Sequence, residues 1–332
     1  MRSTSGKTLL IVSSENGSTC DVMEWLDVYG VKYIRINEKD RILDGMTIRL
    51  GSAKSEFVMN INNKLIPLYE FDGVYVRHGF IDVKSNYDKN LFKEHYEIQE
   101  NMKAERESFL DFIQHSFTSL PFLGKVAAQD TNKLHTLTTA AKIGLKIPET
   151  IVTNNRDELI EFKNKVGPIV CKSVQNVVAF MYDDKPHINY TSEVSDKDIL
   201  EFPDIFYTSL FQQKLEKIFE IRSFYLGGEI YSMAILSQLD PQTSIDFRNY
   251  NMTKPNRTVP FKLPTQVESK LIELMTALSQ QTGSIDMVVT DEKEFVFLEV
   301  NPVGQYGMVS YPCNYDLNVK MAEYLVTMMD AR

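Results

Sequence analysis

Residues 284–307 read SIDMVVTDEKEFVFLEVNPVGQYG, and the organisation of the chain follows from how this stretch pairs with itself. Two short apolar strands, residues 285–290 and 295–300, flank a polar turn at residues 291–294. Alternate side chains share a strand face, so Glu299 and Asn301 are expected to point the same way, with Phe295 and Phe297 behind them in one row. Asp286 sits among apolar neighbours on the partner strand. A hairpin symmetric about its turn sets Asp286 opposite Glu299, with β-carbons roughly 5 Å apart. Two carboxylates so close repel each other unless a cation lies between them. The amide oxygen of Asn301 then completes a hard-oxygen set suited to Mg²⁺ carrying nucleotide phosphates. The plain alternative is a hairpin with chance acidic residues.

The chain has 332 residues, 43% of them hydrophobic, enough for two or three domains. Its 36 basic and 45 acidic residues give a net charge of -9, which argues against a general nucleic-acid surface. Cys20, Cys171 and Cys313 are too few and too scattered for a disulfide framework, and no CxxC pair suggests zinc. The amino-terminal residues turn polar after a short apolar run, so neither a signal peptide nor a membrane span is expected. A reducing cytoplasm fits this usage.

The first hundred residues predict an α/β layer: strands at 8–13, 32–36 and 71–77, and a helix at 20–29 with Val22, Trp25, Leu26 and Tyr29 on one face, stopped by Gly30. No glycine-rich phosphate motif occurs here, and the loop at 13–19 reads as an ordinary strand-to-helix turn. Arg77 and His78 end a strand, where α/β folds place ligand groups, and Arg77 is the candidate for substrate. A long helix is expected over residues 92–117, packed through Phe109, Phe112, Ile113 and Phe117, with a boundary at Ser119-Leu120-Pro121.

Beyond it, Asp130 or Thr131 is expected to cap a helix over 132–143, ended by Gly144, before a strand at 149–153. Lys133 then lies in the first turn, a place cations avoid unless an anion is near. Lys172 interrupts an apolar strand, and a buried lysine there needs an anionic partner such as phosphate; an edge strand with Lys172 in water is the alternative. Between 206 and 232 a strand runs into Gln213-Lys214-Leu215, returns through Glu220 and Arg222 on one face, and turns at Gly227-Gly228. Backbone amides at such a strand end can hold a purine edge, a carboxylate can accept ribose hydroxyls and an arginine can clamp phosphate or carboxylate. A surface ion pair is the other reading of Glu220 and Arg222.

The ordered set Lys133, Lys172, Gln213-Lys214-Leu215, Glu220, Asp286, Glu299 and Asn301 resembles an ATP-grasp ligase over essentially the whole chain. Within that superfamily, NKLHTLTTAAKIGLKIPETIVTN (132–154), GPIVCKS (167–173), SIDFRNYN (244–251), FLEVNPVGQYG (297–307) and FDGVYVRHG (71–79) resemble the graspetide synthetases, the microviridin-type and grasp-with-spasm peptide maturases. The resemblance implies an α/β (α+β) chain with a three-part ATP-grasp fold. Its parts would be an N-terminal domain over 1–120, a central one over 121–208 and a C-terminal one over 209–332, with ATP between the last two. It implies ATP and Mg²⁺, a precursor peptide of leader plus core as partner, and a homodimer. Lys133 and Lys172 would bind phosphates, Gln213, Lys214, Leu215 and Glu220 the rest of the nucleotide, and Asp286, Glu299 and Asn301 the Mg²⁺. Arg222 and Arg248 would hold an acyl phosphate or peptide carboxylate, and Asp246 is a candidate base. One departure is that residues 174–182, VQNVVAFMY, lack the glycines of the usual mobile loop.

The chemistry so implied runs through phosphorylation of a peptide carboxylate by ATP, then attack by a Ser, Thr or Lys side chain of the same peptide. It relies on charge neutralisation and positioning, consistent with the absence of a Ser-His-Asp or Cys-His signature. Esters are expected, because the likeness is to the ester-forming branch. Two alternatives remain open: an amino-acid or glutamate ligase of the ribosomal-protein-modifying type, and a nucleotide-sensing protein without turnover.

Overall fold

The run TLLIVS is apolar toward both faces, as a strand covered on both sides requires, and it forms the strand Thr8–Ser13 inside a parallel sheet. The sheet order is Lys32–Ile36, Thr8–Ser13, Gly73–Arg77, Phe122–Gly124. Leu10, Val12, Val74 and Val76 meet Ile113 and Phe117 of the helix Tyr96–Phe117 in one core. The helices Gly17–Val28 and Leu317–Asp330 pack against each other, and the second approaches Gly73 so closely that an added β-carbon would lie 2.9 Å from Met329 Cγ. These elements belong to one compact unit, residues Met1–Gln129 with Asp316–Arg332; the other is Asp130–Tyr315. The computed structural model describes all residues other than 1–5, 15–16, 38–41, 44, 53–54, 78–80, 84–94, 125–131, 175–178, 184, 189, 239, 241–250, 252 and 332.

Two helices of the first unit depart from the sequence expectation. Phe109, expected in the packed stripe, is 52% exposed, while Ile113 and Phe117 are buried. Trp25 is 38% exposed, because only the narrower Val22–Leu26 stripe of its helix turns inward. An antiparallel meander, Gly45–Arg49, Glu56–Ile61 and Lys64–Pro67, was not anticipated. Its second turn is Asn62-Asn63, both residues at positive φ, the geometry of a tight two-residue hairpin.

Among the described residues the second unit holds a two-stranded antiparallel sheet, Ala179–Tyr182 with Lys185–Ile188, and two larger antiparallel ones. One has the order Thr150–Asn155, Ile205–Gln213, Ile169–Lys172, Ser192–Val194. Its core joins Ile169, Val194 and Phe211 to Leu159 and Ile199 of two helices, Arg156–Val166 and Asp196–Glu201. The other has the order Arg257–Phe261, Glu229–Leu236, Lys217–Leu226, Thr282–Thr290, Phe295–Asn301. Leu137 and Ala140 of the helix Lys133–Lys142, with Leu271, Leu274 and Met275 of the helix Thr265–Ala277, cover one of its faces. The expected Gly227-Gly228 turn is present, both residues at positive φ.

The cap of the Lys133 helix is Asn132, not Asp130 or Thr131, which lie outside the described residues. Its Oδ1 accepts from the amides of Leu134 at 3.0 Å and His135 at 3.3 Å, satisfying two donors that the first helical turn cannot. Asn132→Ala is expected to lower stability by about 1 kcal/mol and Asn132→Asp by less, as read from urea denaturation midpoints at constant m-value.

Candidate functional site

The five-stranded sheet sorts its side chains by face. Ile221, Ile285, Met287, Phe297 and Val300 enter the core beneath the helices, and Asp286 points the other way. In the hairpin, Val289 pairs with Phe295, Val288 with Val296 and Met287 with Phe297, but Asp286 then pairs with Glu299 and Ser284 with Asn301. Leu298 is therefore an extra residue, a bulge that reverses the alternation. The expected single row of Phe295, Phe297, Glu299 and Asn301 is corrected on this point: the phenylalanines lie on the core face and Glu299 and Asn301 on the face of Asp286. The turn is centred on Glu292, so an unbroken register would have put Leu298 opposite Asp286. The bulge brings Glu299 there instead.

A second bulge lies on the other flank. Lys217 pairs with Thr290 and Phe219 with Val289, leaving Ile218 extra. It turns Lys217 to the face of Glu220, which two residues of opposite parity would not otherwise share.

Three buried ion pairs result. Arg222 lies directly across from Asp286, and its Nη1 donates to both carboxylate oxygens at 2.9 Å. Lys133 Nζ is 3.2 Å from Glu299 Oε2 and donates to the Ser173 carbonyl at 3.0 Å, linking the two larger sheets of this unit. Glu220 Oε1 accepts from Lys217 Nζ at 2.9 Å and Ser237 Oγ at 2.8 Å. Asn301 Nδ2 reaches Asp286 Oδ2 at 3.4 Å. Charges this buried are tolerated only when paired, so the arrangement is mutually dependent. Arg222 Nε and Ser284 Oγ are buried on the same face without a partner.

The loop that follows is held by Gly304. Its φ is 53°, and an added β-carbon would stand 2.9 Å from the Ser284 amide nitrogen and 3.1 Å from Ser284 Oγ. Its own amide donates to the Asn301 carbonyl at 3.1 Å, folding the chain back onto the hairpin.

The remaining expected residues fall as follows. Lys172 ends its strand, half-buried, opposite Leu210. Gln213, Lys214 and Leu215 connect the two larger sheets of the unit. The amide of Gln213 donates to Glu149 O and that of Lys214 to Pro168 O, so of the three only Leu215 could offer its amide to a purine edge. Lys214 Nζ pairs with Glu193 at 2.7 Å. Arg77 belongs to the first unit, buried opposite Ser13, with its Nε donating to Ser18 Oγ at 3.2 Å. His78, Asp246 and Arg248 lie outside the described residues. Lys217, Ser237 and Ser284 were missed by sequence reading; for Lys217 the spacing pointed to the wrong face. Burial pushes the thiols of Cys171 and Cys313 up, so neither is poised as a thiolate nucleophile.

No family model matches the chain. It is 25% identical over 206 residues to the alpha-aminoadipate–LysW ligase LysX of Sulfurisphaera tokodaii, and 26% over 186 residues to that of Sulfolobus acidocaldarius. The matches cover 66% and 62% of those ligases and 59% and 53% of this chain. Among solved structures it is similar to a RiPP-associated ATP-grasp ligase of Chryseobacterium gregarium in complex with ADP and a leader and core peptide. That match has TM-score 0.81 and 24% identity, over 98% of this chain and 97% of the other. It is also similar to the macrocyclase MdnC of Microcystis aeruginosa MRC bound with precursor peptide MdnA, with TM-score 0.77 and 25% identity, over 96% and 99%. The shared architecture is the ATP-grasp fold. The chain has that fold, with RiPP-associated ATP-grasp ligases among its structural neighbours and LysX ligases among its sequence relatives.

ATP-grasp enzymes use ATP and Mg²⁺, and the donor set fits that metal. Asp286, Glu299 and Asn301 offer oxygen ligands on one face, the two carboxylates buried and the amide half-buried. Among the described residues no group of three His, Cys, Asp or Glu side chains could hold an ion. Mg²⁺, which keeps waters and takes phosphate oxygens, needs no more than one or two carboxylates from the protein. Both carboxylates are neutralised by Lys133 and Arg222, so a divalent ion arriving alone would leave excess positive charge, whereas one arriving with phosphates would not. Mn²⁺ is therefore expected to bind weakly by itself and tightly with ATP, as followed by electron paramagnetic resonance. Glu299→Gln should stay folded, with stability lowered by about 3 to 5 kcal/mol because Lys133 loses its buried partner, and lose the ATP-dependent Mn²⁺ signal; retention of that signal would remove Glu299 from the metal site.

Proposed function

We propose that the protein is an ATP-dependent peptide macrocyclase that forms side-chain ester crosslinks in a ribosomally made precursor of leader plus core, working in the cytoplasm as a homodimer. The observation that carries the reading is a buried face on which two carboxylates, an amide, Lys133 and Arg222 converge, in a chain that matches a precursor-bound macrocyclase along nearly its full length. Among the described residues no helix is long and apolar enough to cross a membrane.

In this reading a carboxylate of the core peptide attacks the terminal phosphorus of ATP, forming an acyl phosphate and releasing ADP. A Ser or Thr hydroxyl of the same peptide then attacks the acyl carbon; the ester forms and phosphate leaves with the bond it held. Bound Mg²⁺ supplies neutralisation of phosphate charge. Asp286, Glu299 and Asn301 hold that ion, Lys133 and Lys172 take phosphate oxygens, and Glu220 takes ribose hydroxyls. Arg222 steadies the transferring group, with Arg248 on the peptide carboxylate and Asp246 accepting the hydroxyl proton. Arg77 is a contact for the peptide. The work is electrostatic and positional, which suits a site without an activated nucleophile.

Incubation with ATP and a precursor encoded beside the gene should remove the mass of one water per ring and consume one ATP, read by mass spectrometry and coupled ADP release. Mild base should restore the mass if the links are esters. The partial likeness to LysX favours a second reading, ligation of a free amino acid or amino group, and a peptide or acceptor that gains mass would decide for it. Lys172→Ala should weaken ATP more than adenosine in calorimetry, because its partner is phosphate; equal losses would make the lysine structural.

A further inference from the structure

Lys217 was not among the residues expected at the site, and the structure puts it there through a backbone irregularity. In a regular strand Lys217 and Glu220 would face opposite ways; the Ile218 bulge places both on the face of Asp286. The pair is deeply buried, the lysine side chain 9% exposed and the carboxylate 7%. One oxygen, Glu220 Oε1, receives both Lys217 Nζ at 2.9 Å and Ser237 Oγ at 2.8 Å, and Gln238 Nε2 in turn donates to Ser237 Oγ at 3.0 Å. A lysine removed from water needs a task that offsets its desolvation. Here the task visible in the geometry is to keep one carboxylate ionised and fixed in orientation.

We propose that Lys217 is a positioning residue of the nucleotide site, holding Glu220 as an ionised acceptor so that its carboxylate reads the vicinal hydroxyls of the ribose. The inference rests on the assignment of Glu220 to the ribose made above. An ionised carboxylate only accepts hydrogen bonds and suits two hydroxyl donors; a protonated one, or one free to rotate, would not demand them. A nucleotide lacking one hydroxyl then leaves the fixed charge short of a donor, which is the basis of strong discrimination. Lys133, Lys172 and Arg222 act on phosphate and metal and would be indifferent to that hydroxyl. Removal of Lys217 is therefore distinguishable from a general loss of affinity.

The test is calorimetric binding of ATP, 2′-deoxy-ATP and 3′-deoxy-ATP, with Mg²⁺ present, to the full chain. The wild type should prefer ATP over at least one deoxy analogue by about tenfold or more. Lys217→Met should bring that ratio to within about threefold of unity while Mg²⁺-dependent binding of tripolyphosphate stays unchanged, and Lys217→Arg should restore most of it. Loss of one partner from a buried pair can unfold a protein, so Lys217→Met/Glu220→Gln, which removes both charges together, serves as the second variant. Its ratio should equal that of Glu220→Gln alone, as a residue that acts on the ribose through Glu220 requires. A ratio lost in Glu220→Gln but kept in Lys217→Met overturns the role of Lys217 and leaves the ribose assignment standing. A ratio unchanged in Glu220→Gln overturns the ribose assignment and the proposal with it. Equal weakening of ATP, both analogues and tripolyphosphate in Lys217→Met, with a lowered melting temperature, would make the lysine structural and also overturn the proposal.

Discussion

The strand Thr282–Thr290 carries Asp286 inside a sheet, with a strand on either side, and a carboxylate buried there can persist only if its neighbours answer its charge. Arg222 answers from one flank and Asn301 from the other. Much else in the unit follows from that requirement. The helix under the sheet must begin where Lys133 reaches Glu299, so its capping residue is set at Asn132. The loop beyond the hairpin must return over Ser284, and only a glycine fits there.

Buried ion pairs of this kind are weak evidence for stability, because desolvation offsets most of their attraction, while breaking one by removing a single partner leaves an unanswered charge and costs about 3–5 kcal/mol. Three such pairs on one face therefore contribute little net reinforcement. The hydrophobic work is done on the opposite face by Ile285, Met287, Phe297 and the helices Lys133–Lys142 and Thr265–Ala277. That division leaves a single sheet anchored by apolar packing on one side and charged on the other. Lys133 also ties the sheet to the Ser173 carbonyl of its neighbour, so the electrostatic cluster and the connection between the two sheets are one construction.

Both bulges adjoin the same strand, Thr282–Thr290, one at Ile218 and one at Leu298. Each changes the parity of a strand once, and each thereby moves a charged residue from the core face to the functional face. Without the Leu298 bulge, Glu299 would point under the helices; without the Ile218 bulge, Lys217 would. A one-residue insertion is a small covalent change with a large positional effect, because strand periodicity is two.

Strong periodicity and punctuation made part of the fold legible in the sequence. The TLLIVS strand, the Gly227-Gly228 turn, the helix beginning near Lys133 and the existence of the hairpin that carries Asp286 and Glu299 all rest on local patterns whose physical causes are local. The charges of Lys133, Lys172, Asp286 and Glu299 stood out because each sits where solvation or a helix dipole disfavours it. Tertiary structure decided what local pattern cannot hold. Phe109 and Trp25 are exposed because, among the described residues, no partner element covers them, and the final helix returns to the first unit. Lys217 joins Glu220 across a bulge. A bulge has no composition of its own: it is a choice of register, settled by which side chains the helices cover and which charges must meet. The sequence by itself determined a hairpin with one carboxylate on each strand; only the packed sheet, through the Leu298 bulge, decided that the two stand opposite each other, on which face, and which cations stand beside them.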